Sequence, residues 1–400
     1  MKYKLAQRMQ SIHPSPTLSL TAKAKQLKAD GHDVVSFGAG EPDFDTPQNI
    51  KDAAIKAINN GVTKYTPVPG TNELKDAIIA KLKRDNHVEY TRDEILVSNG
   101  GKHGLFNIAM ALLEEGDEVI IPAPYWVSYP EQVRVMGATP VIIPTSDQDD
   151  FKINAQQLEN AITAKTKFVI INSPSNPTGV AYNKNELQSL AEVCLKKNVL
   201  IVSDEIYEHI VYDDFKHVSI ASFSPEFKDI TLISNGASKC YSMTGWRMGF
   251  TAGPQEIIKA MNKLQAQSTS NVCSITQAAC VEAFAGPQDA VLQMRAAFQK
   301  RRKLIVNGLN NIPGINCKTP QGAFYVFPNV SEVFGKTTKQ GKTINSSEDF
   351  CFHLLEDHGV AVVHGSAFGA EGYLRMSYAT DEATITEGLK RIANAVKQLS

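Results

Sequence analysis

Five short apolar runs set the frame for this chain: EVIIP at 118–122, TPVIIP at 139–144, KFVIIN at 167–172, VLIVSD at 199–204 and ITLISN at 230–235, with helix-patterned stretches between them. Strands that are apolar along nearly their whole length must be covered on both faces, and the helices that return the chain supply the cover. The pattern predicts an α/β fold on a mostly parallel sheet. In such sheets ligands bind beyond the carboxyl ends of the strands, so the residues that follow each run are the candidates for chemistry. At 400 residues the chain exceeds the length at which one core usually keeps growing, and a large domain with a smaller companion is expected.

The strand ends deliver a specific set of groups. APYWVSYP follows the first run and brings Trp126; SPSNPTG brings Asn176; VLIVSD ends in Asp204 with Tyr207 beyond; ITLISN leads to SNGASKCYSMTGWRMG, with Lys239 and Arg247. Each alone has an ordinary reading, as core filler, turn amide, helix N-cap, buried phenol or solvated lysine. Together they offer a ring, an amide, a carboxylate, a phenol and an amine to one ligand at one sheet edge. A lysine amine titrates near ~10.4 in water, and a site that uses it as a nucleophile must shift that value or tie it up as an imine. A nearby guanidinium serves this need, since it grips a phosphate and disfavours a second cation. Lys239 is therefore a candidate Schiff-base lysine.

Upstream, EILVSNGGKHGLFNIAMALL reads as a strand, a glycine turn at Gly100 and Gly101, and a helix from about Lys102. Glycines before a helix N-terminus let an anion approach the free amides. A Walker A loop is excluded, because His103 stands where Ser or Thr would follow the lysine. VVSFGAGEPDFDTP, with Gly38 and Gly40, is either a connecting turn or a substrate loop. After a helical region from about 254 to 299, the run Lys300, Arg301, Arg302, Lys303 reads as a solvated helix face, and the last hundred residues form an α+β unit.

A formal net charge of −1 gives no field for nucleic acid or anionic lipid, and no stretch of eighteen apolar residues is present. Small-molecule partners are expected. Cys194, Cys240, Cys273, Cys280, Cys317 and Cys351 are scattered without CxxC pairs, so neither a disulfide framework nor a zinc site is indicated, and no metal is expected. Reduced thiols and an N-terminus without an apolar signal core point to the cytoplasm.

SKCYSMTGWRMG, SPSNPTG, VSDEIYEHIVY, PYWVSYP, FGAGEPDFDTP and YLRMSYA, in order over essentially the whole chain, resemble the class I aminotransferases of pyridoxal-phosphate fold type I, closest to the bacterial and plastid-type aspartate aminotransferases. The resemblance implies a large cofactor domain over 48–300 and a small domain from both termini, 1–47 and 301–400. It also implies a homodimer with shared active sites, and amino acids and 2-oxo acids as partners. On this reading Lys239 carries pyridoxal phosphate and moves the proton, and Asp204 pairs with the pyridinium nitrogen. Asn176 and Tyr207 meet the phenolic oxygen, and Trp126 stacks on the ring. The Gly101 and Lys102 amides, Ser238, Arg247 and Tyr65 from a neighbouring subunit hold the phosphate. Arg375 takes the substrate α-carboxylate, with the Gly40 backbone closing over it.

Three departures from the family pattern matter. QSTSNVCSITQ at 267–277 contains no arginine for a substrate side-chain carboxylate, which leaves Lys102, with Ser15 and Thr17 near the entrance, as candidates. His103 and Gly104 stand where Gln-Ala is frequent, and His103 is read as a surface residue. Gly236 occupies a position where some relatives carry a phosphate-binding serine, so Ser238 must do more. The activity implied is transfer of the amino group of L-aspartate to 2-oxoglutarate. Rivals are an aminotransferase for aromatic amino acids or prephenate, a carbon–sulfur lyase on the same fold, and a transcription regulator that reuses it. The last lacks support, since no basic helix-turn-helix precedes the region.

Overall fold

The computed structural model describes residues 3–14 and 16–400, the side chains of residues 16–18 and 21 excepted. The apolar runs become strands. Among the described residues twelve strands form in chain order: β1 (Val35–Ser36), β2 (Ile95–Ser98), β3 (Glu118–Ala123), β4 (Thr139–Pro144), β5 (Thr166–Asn172), β6 (Leu200–Asp204), β7 (Thr231–Gly236), β8 (Gly249–Ala252), β9 (Tyr325–Val326), β10 (Val360–Ala361), β11 (Val363–His364) and β12 (Leu374–Ser377). Of these, β3, β5, β6 and β7 are buried along nearly their whole length, as cover on both faces requires. Seven of them build one sheet in the order β2-β8-β7-β6-β5-β3-β4. β4, β3, β5, β6 and β7 are mutually parallel, and β8 runs antiparallel between β7 and β2.

Helices cover both faces because every parallel connection has to cross over the sheet. On one face Leu105, Ile108, Ile258 and Met261 pack against Val119, Ile121, Ile170 and Val202; on the other Leu158, Leu187, Leu190 and Cys194 pack against Ile120, Val169 and Ile201. Local signals set the helix starts. Thr71 caps the helix Asn72–Lys81 by accepting the Leu74 N–H at 3.3 Å, and Asn183 with Glu186 closes a capping box on the helix Lys184–Lys197.

The two ends of the chain pack together. β1 pairs in parallel with β10, and Phe37 joins Phe324, Tyr325, Val360, Met376 and Tyr378 in one apolar cluster that also takes in Tyr207 and Tyr212. The helix Asp289–Asn310 spans both parts: Val291 belongs to the cluster under the first helices, while Phe298, Ile305 and Leu309 belong to that of the termini. This overturns the reading of the basic run as a solvated face, because Arg301 and Arg302 are buried. Arg302 donates to Asp213 at 2.6 Å and to the Pro320 carbonyl at 2.8 Å, with its guanidinium over Tyr212; Arg301 pairs with Asp43 at 2.7 Å. Four consecutive cations must point around all sides of a helix, and two of them here turn inward to acceptors.

Candidate active site

A cavity of about 520 Å³ opens beyond the carboxyl ends of the parallel strands, where Asn172 closes β5, Asp204 closes β6 and β7 runs on to Lys239. Its wall carries Gly40, Gly101, Lys102, Trp126, Asn176, Asp204, Tyr207, Ser238, Lys239, Arg247 and Arg375, so residues from seven separate stretches of sequence converge as the strand-end rule requires. Tyr65 is 93% exposed on the single chain and is not part of the wall. Ser15 lies outside the described residues, as does the side chain of Thr17.

The floor is a buried acid. Asp204 accepts the Tyr129 O–H at 2.6 Å and the Ile206 N–H at 3.3 Å. Burial pushes its carboxyl up to about 6, while the Tyr129 hydroxyl pulls the other way. It caps no helix, since the chain turns at once after β6. Opposite it, Lys239 donates to the Gly40 carbonyl at 2.6 Å. Burial pushes its amine down to about 8, Glu41 pulls it up, and Arg375 and Arg247 push it further down. A low-dielectric site thus makes both groups easier to neutralise, which is the condition for holding or moving a proton near neutral pH.

Arg375, on β12, is 4% exposed and donates to the Gly38 carbonyl at 2.7 Å and to Asn176 Oδ1 at 3.2 Å. Its Nε has no partner. A buried guanidinium with a spare donor is costly to leave so, and a carboxylate ligand would satisfy it as a fork. Tyr325 lies beneath it, ring centre 4.9 Å from the guanidinium carbon, with its hydroxyl 3.0 Å from that of Tyr207. Burial, then Tyr325, push the Tyr207 hydroxyl well up, so it stays a donor.

At the other end, the helix Gly101–Leu112 begins without a side-chain cap. Gly100 has φ +82°, and a Cβ there would fall 2.4 Å from Arg247 Nη2. Only glycine lets the guanidinium approach the free helix amides, and the two together make an anion cradle with Ser238 beside it. Gly236 has an equally direct reason: a Cβ would meet the Met248 carbonyl at 2.7 Å, so no serine fits without movement. Lys102 sits 4.8 Å over the Trp126 ring at the edge of the cavity, its amine pushed down by partial burial and then by Arg247. His103 departs from expectation: it is partly buried, because its Nδ1 accepts the Asn99 N–H at 3.2 Å and so closes the turn before the helix.

The donor set suits one kind of group, a flat ring with a basic nitrogen at the acid, an anionic tail at the helix and a carbonyl carbon near the lysine. Residues 32–392 match the family of aminotransferases of class I and II. The chain belongs to that family. Like its other class I members it works with pyridoxal phosphate, which the cavity fits: a buried carboxyl pushed up to about 6 awaits a cationic ring nitrogen, and an uncapped helix start awaits a phosphate. This aminotransferase is 54% identical to an aspartate aminotransferase of Geobacillus stearothermophilus over 97% of this chain and 98% of that one. It is 51% identical to a probable aspartate/prephenate aminotransferase of Rhizobium leguminosarum over 97% of each. A crystal structure of an aspartate aminotransferase from Rhizobium meliloti superposes with a TM-score of 0.97 at 50% identity, covering 100% of both chains.

Sequence reading missed Tyr129, Tyr325 and Glu41 in the wall. Of the three, Tyr129 lies nearest to a residue the sequence singles out, three positions after Trp126 in the same strand-end stretch. Tyr325 comes from the far end of the chain, and no local pattern points from it to Tyr207.

Proposed function

We propose that this aminotransferase moves the amino group of L-aspartate to 2-oxoglutarate, giving oxaloacetate and L-glutamate by a ping-pong course. The observation that carries the reading is a buried guanidinium with a spare Nε in the same cavity as a depressed lysine amine and a raised buried carboxyl. When bound, pyridoxal phosphate supplies an aldehyde that takes up the amino group and a ring that withdraws electrons from the substrate α-carbon.

Lys239 is the residue that would hold the cofactor covalently. Once freed, its amine takes the proton from the substrate α-carbon, a task suited to a value of about 8. Asp204 would face the ring nitrogen, where a cation draws the carboxyl back to its charged form. Tyr207 and Asn176 would donate to the phenolic oxygen, and Trp126 would cover the ring. The Gly101 and Lys102 amides, Ser238 and Arg247 would hold the phosphate, joined by Tyr65 of a second copy. Arg375 would take the α-carboxylate while the Gly40 backbone closes over it, and Lys102, with Ser15 and Thr17, would read the distal carboxylate.

The division into residues 48–300 and a smaller unit from 1–47 and 301–400 belongs to the same reading, supported by the pairing of β1 with β10. So does a homodimer, supported by Ile55, Ile58, Val62 and Tyr65, all exposed around one helix end. A cytoplasmic location is supported by six free cysteines. No helix of the described residues is long and apolar enough to cross a membrane.

A panel of amino donors with 2-oxoglutarate, followed by keto-acid formation, tests the activity. Aspartate is expected to lead, and turnover confined to aromatic donors would overturn the proposal. Prephenate belongs in the acceptor panel, because relatives such as that of Rhizobium leguminosarum are named for it.

A further inference from the structure

The turn that carries Asp204 and Tyr207 has a second face. Along residues 204–208 Asp204 and Tyr207 wall the cavity, while Glu205 and Glu208 are buried behind it. Glu208 accepts from Lys81 Nζ, from Asn235 Nδ2 at 2.6 Å and from Asn86 Nδ2 at 2.6 Å, and Lys81 also donates to Asn86 Oδ1 at 2.6 Å. Glu205 accepts from Ser203 Oγ at 2.8 Å, Ser219 Oγ at 2.7 Å and Asn86 Nδ2 at 3.3 Å, and lies 3.2 Å from His217 Nε2. Farther out, His209 Nε2 stands 3.3 Å from Asp85 and 3.7 Å from Glu208.

Glu205, Glu208 and His217 stand close enough to hold a cation. Yet all four carboxylate oxygens of the two glutamates already have donors, an ammonium among them, so the cluster is a closed hydrogen-bond network. Its geometry links three elements. Asn235 lies on β7, where its Oδ1 accepts the Gly236 N–H at 2.7 Å, three residues before Lys239; the Glu205 N–H reaches the Ser234 carbonyl at 2.9 Å; and Lys81 and Asn86 belong to the end of the helix Asn72–Lys81 and the turn that continues it. The strand end that leads to Lys239 and the turn that carries Asp204 are therefore strapped together from behind.

We propose that Glu208, gripped by Lys81, Asn86 and Asn235, is a positioning residue for amino transfer that fixes the Asp204–Tyr207 turn against the strand end leading to Lys239. The inference rests on the roles proposed above for Asp204 and Lys239. A carboxylate that closes a buried network holds its turn in one place, and a displacement of ~1 Å between reacting groups costs ~100-fold in rate.

Glu208→Gln alone would strand the Lys81 ammonium in the interior, which unfolds many proteins, so the test uses Lys81→Met/Glu208→Gln, which removes both charges at similar volume. Asn235→Ala is the second variant, leaving the ion pair and cutting the strap. Each is loaded with pyridoxal phosphate and measured for kcat, for KM with aspartate, for thermal unfolding and for the pH midpoint of the cofactor absorbance. The expected result is a folded protein in which kcat falls ~10-fold or more with KM within ~2-fold, and the absorbance midpoint moves. Folded variants with wild-type kcat and an unmoved midpoint overturn the inference and leave the network a purely structural one. If the wild-type protein itself shows neither transamination nor a pH-dependent absorbance band, the assignment of Lys239 is wrong and this inference falls with it.

Discussion

The front and the back of the Asp204–Glu208 turn hold almost the same inventory of charged groups and treat it in opposite ways. Behind the turn, every carboxylate oxygen of Glu205 and Glu208 has a donor, and although burial alone would push the Glu208 carboxyl up, the Lys81 ammonium helps hold it below the usual carboxylate range. In front, the Asp204 carboxyl is pushed up to about 6, the Lys239 amine down to about 8, and Arg375 keeps a spare Nε. Buried charges that are paired hold structure; buried charges left short of partners are ready for a ligand. On the proposed reading, that difference puts the chemistry on the cavity side of the turn.

That contrast can be broken most sharply at Lys239. Lys239→Ala is expected to lower kcat by at least ~10³-fold while leaving thermal stability equal or higher, because on the proposed reading the residue belongs to the reaction centre, and its one hydrogen bond, to the Gly40 carbonyl, anchors no network. Near-normal transamination by the variant would remove it from that centre.

Asp204 comes next. Asp204→Asn should lower kcat by ~10²-fold or more, as the ring nitrogen loses its counter-charge. In the cofactor-free protein the same change should stabilise, with a definite pH dependence. The folded carboxyl titrates near 6 against an ordinary value of 3.8, so the burial cost is absent below pH 4 and complete above about pH 6. Relative to the variant, the wild-type protein should lose on the order of 3 kcal/mol between pH 4 and pH 7. Denaturant melts at the two pH values measure it, and a constant difference would mean that the acid is not held against burial.

Arg375→Lys tests the spare guanidinium donor. A lysine keeps the charge but not the fork, and KM for every amino donor should rise by ~10- to 100-fold with a smaller change in kcat. An unchanged KM would place the α-carboxylate elsewhere. Lys102→Ala should have the smallest effect, ~10-fold weaker binding of aspartate and glutamate with aromatic donors little changed, because the residue stands at the cavity edge, its amine only partly withdrawn from water. A uniform loss across donors would limit Lys102 to its backbone amide.

The two faces also differ in how far they can be read from sequence. Asp204, Tyr207 and Lys239 were legible because apolar strands announce their own ends, and a parallel sheet gathers those ends at one edge. Arg375 was legible only through the resemblance carried by YLRMSYA. The partners Tyr129 and Tyr325 were not, since a hydroxyl 2.6 Å from Asp204 depends on how a helix seats over the strand. Arg301 and Arg302 were misread for a related reason: a run of four cations looks solvated until Asp43, Asp213 and the Pro320 carbonyl are brought to it from elsewhere.

By itself the sequence determined the α/β sheet, the order of its helices and strands, and the identity of the groups at the strand ends, because period and burial act within a few residues. The tertiary structure alone decided which of the buried charges are paired. Lys81 meets Glu208 across 127 positions, and Arg375 meets Gly38 across 337. Contacts at such separations follow from the packing of whole elements, and it is that packing which closes the network behind Asp204 and leaves the cavity in front of it open to a ligand.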